Sequence, residues 1–189
     1  MDQIRKELDD IIEIKNPLDN INFIANLKRK IPHAIKLIEQ SDFSLNFYPN
    51  YNCYMYALNL SNAQEVNRLS KSTLGRVRPG NEFVKYLIHQ VALKEIPREK
   101  VSKGDIIIYF DNNGPVHAGK IISDRIISKW NLEGHLWEHG EEEVPVKFGS
   151  DRKYFKEISR SGALSSFFRY ADFESKKIEN EFKQEVKFY

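Results

Sequence analysis

The chain predicts an α+β fold, and three observations carry that expectation. Apolar residues early in the sequence recur at helical spacing: Ile4, Leu8, Ile11 and Ile12, then Leu18, Ile21, Ile24 and Leu27. The middle of the chain is a series of β-branched and aromatic runs cut by turn residues, VSKGDIIIYF, DNNGP, VHAGKII, SD and RIISKW. Helices come first and strands follow, the order expected when helices pack on an antiparallel sheet.

Each element follows from local pattern. Residues 2–15 read as an amphipathic helix ended by Pro17, and the next helical stripe is interrupted by Pro32, with HAIKLIEQ continuing helically to Gln40. SDFSLNFYPNYN, rich in aromatics and asparagine, reads as an extended approach to Cys53. Residues 53–60 read as a helix, SNAQEVNRL as its short continuation, and STLGRVRPGN as a loop by its Gly and Pro content. Phe83, Tyr86, Leu87 and Val91 give a helix over 82–94 that ends before Pro97. Three strands make an antiparallel meander. HLWEHGEEEVPVKFG reads as a loop plus one strand, RKYFKEI as a last strand, and 171–188 as a charged C-terminal helix. The chain divides into an N-terminal helical extension packed on the core (1–40), the core (41–160) and a C-terminal helical tail (161–189).

Composition narrows the function classes. The chain has 189 residues, enough for a sizeable core, with 41% hydrophobic and 30% charged side chains. Against 27 acidic residues stand 29 basic ones, so no strong field draws in nucleic acid or anionic lipid. The N-terminus MDQIRKELDDIIEIKN has no apolar leader segment, and no apolar run approaches the roughly 18 residues of a membrane span. The expected setting is the cytoplasm, with delivery outside the producing cell left open.

The single cysteine, Cys53, cannot form an intramolecular disulfide. A lone cysteine is most often a small buried hydrophobe. This one opens a helix, and His117 follows Gly114-Pro115 at the head of a strand, a position from which a side chain can face a cleft. A helix N-terminus and a nearby histidine both lower a thiol's pKa, so the expected Cys53 is a nucleophile with a depressed pKa.

NCYMYAL together with GDIIIYFDNNGPVHAGKI resembles the NlpC/P60 and related papain-like cysteine hydrolases. Their pattern is a cysteine at a helix start, a GD-led apolar strand, and a strand opening with His, a small residue and Gly. The likeness spans roughly residues 45–155. The later stretch SKWN…HLWEHG is similar to a set of bacterial proteins in that superfamily carrying an S-K-[WL]-G segment and a later histidine. The resemblance implies a papain-like fold, with a helical half bearing catalytic Cys53 and an antiparallel sheet bearing catalytic His117. It implies a cysteine peptidase or amidase that uses no cofactor and acts on a peptidoglycan-type peptide or a protein. Asn52 stands where many members carry aspartate, and the family's third position falls on Ser128. Either Ser128 or His139 is expected to orient the imidazole, with His139 the better acceptor. Tyr48, Tyr51 and Asn52 are candidates for lining the cleft, Asn52 as an oxyanion donor beside the Cys53 N–H. Lys129 and Trp130 are candidate substrate contacts.

Ordinary alternatives stand beside these. Glu141, Glu142 and Glu143 read as a solvated acidic run, and His33 and His89 as residents of amphipathic helices. A zinc set of Cys53, His117, His135 and His139 would need a helix across HLWEH, which Gly134 and Gly140 oppose. From a different class comes a non-catalytic papain-like interaction module. The same Cys–His pair could also serve deamidation or transamidation of a protein.

Overall fold

The structure, a computed structural model, describes residues 2–14, 16–40, 51–130 and 134–186. Tyr48, a candidate for the cleft, lies outside them, as does most of the approach to Cys53. Two helices lead, α1 (Asp2–Glu13) and α2 (Pro17–Lys30), followed by strand β1 (Lys36–Glu39). Helices α3 (Cys53–Ala57), α4 (Gln64–Ser72) and α5 (Asn81–His89) come next. Then come β2 (Glu95–Ile96), β3 (Ile106–Asp111), β4 (Gly114–Ile122), β5 (Arg125–Lys129), β6 (Leu136–His139), β7 (Asp151–Phe155) and α6 (Arg160–Val186). Among the described residues seven strands form one antiparallel sheet in the order β1-β6-β5-β4-β3-β7-β2.

The α+β architecture is as expected, and the apolar run IIIYF explains how it is layered. A strand with one wet face alternates apolar and polar residues, whereas a strand covered on both faces is apolar throughout. β3 is of the second kind. Ile106 and Ile108 join Ala118, Tyr54, Met55, Phe83, Leu87 and Phe167 in a core beneath α3–α6. Ile107 and Tyr109 join Leu8, Ile11, Leu27, Trp130, Trp137 and Phe148 in a second core beneath α1 and α2. The sheet is the middle layer between two sets of helices.

Asp105, from the GD pair, anchors the start of β3. Its carboxylate accepts the N–H groups of Ser102 (2.8 Å) and Glu157 (3.1 Å) and the Lys156 ammonium (2.8 Å). Burial raises its pKa, but these donors outweigh it and hold the group below the usual carboxylate range.

Four local expectations are corrected. Residues 36–39 form β1 rather than helix. The second helix ends at Lys30, with the Ile31 N–H on the Leu27 carbonyl, and Pro32 prevents its continuation. The short remainder gains a ladder by pairing with β6. Gln64–Ser72 is a separate nine-residue helix, not a brief continuation of α3. The helix expected over 82–94 stops at His89, and Val91 takes a positive φ of 55° before β2. The last helix begins at Arg160 rather than 171: Ala163, Phe167, Tyr170 and Ala171, at helical spacing, are buried in the first core. No helix among the described residues is long and apolar enough to cross a membrane.

Candidate functional site

Asn52 starts α3 by ordinary capping chemistry. Its Oδ1 accepts the Met55 N–H (2.9 Å), satisfying one donor the helix leaves unpaired. Its Nδ2 donates to the Pro79 carbonyl (2.7 Å). The amide oxygen and one of the two Nδ2 hydrogens are thereby committed to structure at the start of α3.

Cys53 is the first helical residue and is partly exposed. α3 packs across β4 and β5, and the backbone N–H groups of Ala118, Tyr54 and Cys53 itself approach the sulfur. The thiol therefore lies against the residue that follows His117. Burial pushes its pKa up to about 11, outweighing those N–H groups. This reverses the depressed value expected from a helix start beside a histidine. No hydrogen bond joins Cys53 to the imidazole among the described residues.

His117 is buried, 1% exposed, and its ring lies on the second-core side, stacked flat on Phe148 at 4.0 Å and 11°. β4 and β5 are paired only from Lys120–Ile127 to Ile122–Arg125, so the ladder has ended before His117 is reached. Just past that end stands Gly119. A Cβ there would lie 2.6 Å from Ile126 Cγ2 and 3.0 Å from the Ile127 carbonyl oxygen, so the Gly of HAG is what lets β5 come this close. That approach sets Ser128 beside the ring: His117 Nε2 is 2.9 Å from Ser128 Oγ.

Protons in this cluster follow from two groups with no choice. The Trp130 indole N–H can only donate, and it donates to Ser128 Oγ (3.0 Å). The Gly140 carbonyl can only accept, so His139 Nδ1 (2.8 Å) carries a proton and donates to it. A neutral His139 is then an acceptor at Nε2, which takes the Ser128 hydroxyl proton (2.7 Å). With its one proton spent, Ser128 Oγ accepts from His117, which must carry its proton on Nε2. His117 Nδ1 is left as a bare lone pair. Burial holds the His117 pKa well below the usual imidazole range, with His139 adding to the effect, and burial takes His139 down to about 4.

Of the two candidates for orienting the imidazole, Ser128 holds the position directly and His139 stands behind it. Trp130, expected at the substrate, is instead buried at 1% exposure as the second donor to Ser128. Lys129 projects to the opposite face of the sheet. Its ammonium sits 4.6 Å from the Tyr51 ring centroid and donates to the Gly134 carbonyl (2.5 Å), and burial lowers its pKa to about 8. Tyr51 also stacks on Tyr56 at 6.4 Å, so Tyr51 and Lys129 form one partly covered corner beside α3. Among the described residues no group of three or more His, Cys, Asp or Glu side chains is placed to hold a metal ion. The histidines of the zinc alternative are spent otherwise: both ring nitrogens of His139 and Nε2 of His117 are hydrogen-bonded.

Sequence reasoning missed Phe148 and the acidic run. Glu141 pairs with Arg98 (2.7 Å), Glu142 with Arg152, and Glu143 with Arg125 (3.2 Å) while accepting the Ala34 and Gly140 N–H groups. These carboxylates fasten the loop over residues 140–150 and are not a solvated face. The signal was faint, since the cationic partners lie ten to more than forty residues away along the chain.

Replacing Ser128 with Ala removes the oxygen on which three ring nitrogens converge. The two imidazoles can close on each other, one as donor and one as acceptor, but the Trp130 N–H keeps no partner. The expected loss is about 2 kcal/mol, typical of one buried donor left unsatisfied. It should appear as a lower urea midpoint at unchanged slope. A midpoint within error of the parent would show that water replaces the hydroxyl.

No protein-family model, curated protein or solved structure matches this chain.

Proposed function

We propose that the chain is a papain-like cysteine hydrolase that cleaves an amide bond, with Cys53 as nucleophile and His117 as general base. One observation carries the reading: the hydrogen-bond chain through Ser128 and His139 fixes the His117 proton on Nε2 and leaves Nδ1 free to accept another. A serine, a histidine and an indole spent on holding one buried imidazole in one tautomer suit a base, because that is the state a base needs.

The resting pair in this reading is neutral, a thiol and an imidazole rather than a preformed ion pair. As the sulfur attacks the amide carbonyl, its proton passes to His117 Nδ1, and the backbone N–H of Cys53 faces the developing oxyanion. The leaving amine takes that proton and a thioacyl enzyme remains. Water then gives a proton to Nδ1 and its hydroxyl to the carbonyl, releasing the acid and freeing the thiol. The NlpC/P60 resemblance supplies the substrate class: a peptide, either of peptidoglycan type or within a protein.

A papain-like binding module without chemistry is the second reading. Three observations favour it: the raised thiol pKa, the lack of a thiol–imidazole hydrogen bond among the described residues, and the packing of Cys53 on the first core while the His117 ring stacks on Phe148 in the second. A dipeptidyl vinyl sulfone separates the two. If the hydrolase reading holds, the probe labels Cys53 at pH 7, and His117→Ala lowers the rate at least about 100-fold, the usual worth of a general base, with circular dichroism unchanged. The rate should also fall in acid as Nδ1 takes a proton. Because His117 titrates well below the ordinary imidazole, that limb lies below pH 6.5. Labelling that ignores His117→Ala ends the base role and leaves the module.

A further inference from the structure

α1 lies outside the stretch that resembles a hydrolase, yet it is tied to the loop that covers His117. Arg5 is 8% exposed, and its guanidinium reaches past its own helix to three carbonyls of that loop. Nε donates to Val144 O (3.2 Å), and Nη2 donates to Pro145 O (3.3 Å) and Gly149 O (2.5 Å). Two more contacts hold the same loop one and two turns further along the helix. The Lys147 N–H donates to Asp9 Oδ1 (2.9 Å), and its ammonium pairs with Glu13 (2.5 Å). Between the carbonyls that Arg5 holds sits Phe148, whose ring lies face to face with His117. A buried arginine spending a planar fork of donors on one loop defines that loop's position more sharply than a flexible ammonium could.

We propose that α1 is a positioning element of the site: through Arg5 it clamps the loop over residues 144–149, and the clamped Phe148 fixes the ring plane of His117. Ser128 alone cannot do this, since one hydrogen bond leaves the imidazole free to pivot about it. The stack removes that freedom. It also keeps water off one ring face, so Nδ1 is directed and the ring stays neutral. Arg5 and Phe148 are positioning residues, neither of them a reacting group. The inference rests on the role proposed for His117, but it can be tested without turnover.

The experiment is side-chain NMR of protein labelled with ¹⁵N-histidine, read across a pH series. In the parent chain, His117 should show the Nε2–H tautomer and a midpoint well below that of free imidazole. The titrating and polar groups about the ring are His139 on β6, Tyr109 on β3, Ser128 on β5 and Trp130 just after it, and none of them is altered in the variants. Phe148→Leu keeps an apolar side chain but loses the flat stack, and Arg5→Met keeps bulk but loses the fork. Both should raise the His117 midpoint by about one pH unit, with tautomer exchange in the ring nitrogen shifts. Phe148→Tyr, which keeps the stack, should restore the parent spectrum. If Arg5→Met does not fold, Phe148→Leu decides alone. Parent-like His117 signals in the folded variants overturn the clamp. Loss of vinyl sulfone dependence on His117 would instead sink the hydrolase reading while leaving the clamp intact.

Discussion

Gly149→Ala should destabilise the protein by about 4 kcal/mol, the largest effect expected of any single methyl group in this chain. Two costs combine. Gly149 has φ 91° and ψ 158°, a region that residues with a Cβ scarcely enter, worth about 1–3 kcal/mol. The added methyl would also press on the Phe110 carbonyl oxygen, 2.7 Å from its carbon and 2.8 Å from Val116 Cγ2. Backbone atoms of a central strand cannot yield as a flexible side chain would, and such overpacking costs about 1–3 kcal/mol more. Equilibrium urea unfolding reads the sum. Its functional counterpart is local: Gly149 follows Phe148 and gives its carbonyl to Arg5, so a loop that moves to relieve the clash carries the His117 stack with it. A substitution costing less than about 1 kcal/mol would mean that the loop is not pinned against β3.

What the sequence made legible was whatever is encoded locally. β3, β4 and β5 announce themselves because β-branched runs cut by Asp-Asn-Asn-Gly and Ser-Asp leave few alternatives. Cys53 at a helix start was legible for the same reason, since Asn52 is a strong cap. The sequence did not show which side of the sheet each group faces or how deep it lies. Thus the thiol's proximity to a helix start was readable, while the burial that raises its pKa was not. β1 was hidden because an exposed edge strand has no buried face to impose a period, all four of its residues being exposed. The acidic run was misread because its partners, Arg98, Arg125 and Arg152, are brought to it only by the sheet. His139 was in view as a candidate. That it acts on His117 through Ser128, rather than directly, is a matter of β5 lying between β4 and β6 in the sheet.

The same cluster should make the fold unusually sensitive to mild acid. His117 and His139 are both buried neutral, with folded pKa values below the roughly 6.5 of an unfolded imidazole. Above that pH neither state binds these protons, and the histidines cost the fold nothing. As pH falls below 6.5 the unfolded chain takes them up while the folded chain does not, so stability is lost. The loss per histidine runs at about 1.4 kcal/mol per pH unit until the folded pKa is reached. For His139 the window ends at about 4, so it alone contributes a loss of about 3 kcal/mol, and His117 adds to it in the same direction. Few domains hold stability enough to absorb that comfortably. Urea midpoints measured from pH 7.5 down to pH 4 should therefore already fall steeply between pH 6.5 and about 5.5, where carboxylates with ordinary or lowered pKa values have barely begun to protonate. His139→Gln should flatten the slope by one proton without abolishing it, because His117 still titrates. A midpoint level between pH 6.5 and 5 would mean that the unfolded chain gains no protons over the folded one, and that the cluster is wet enough for both rings to ionise in place.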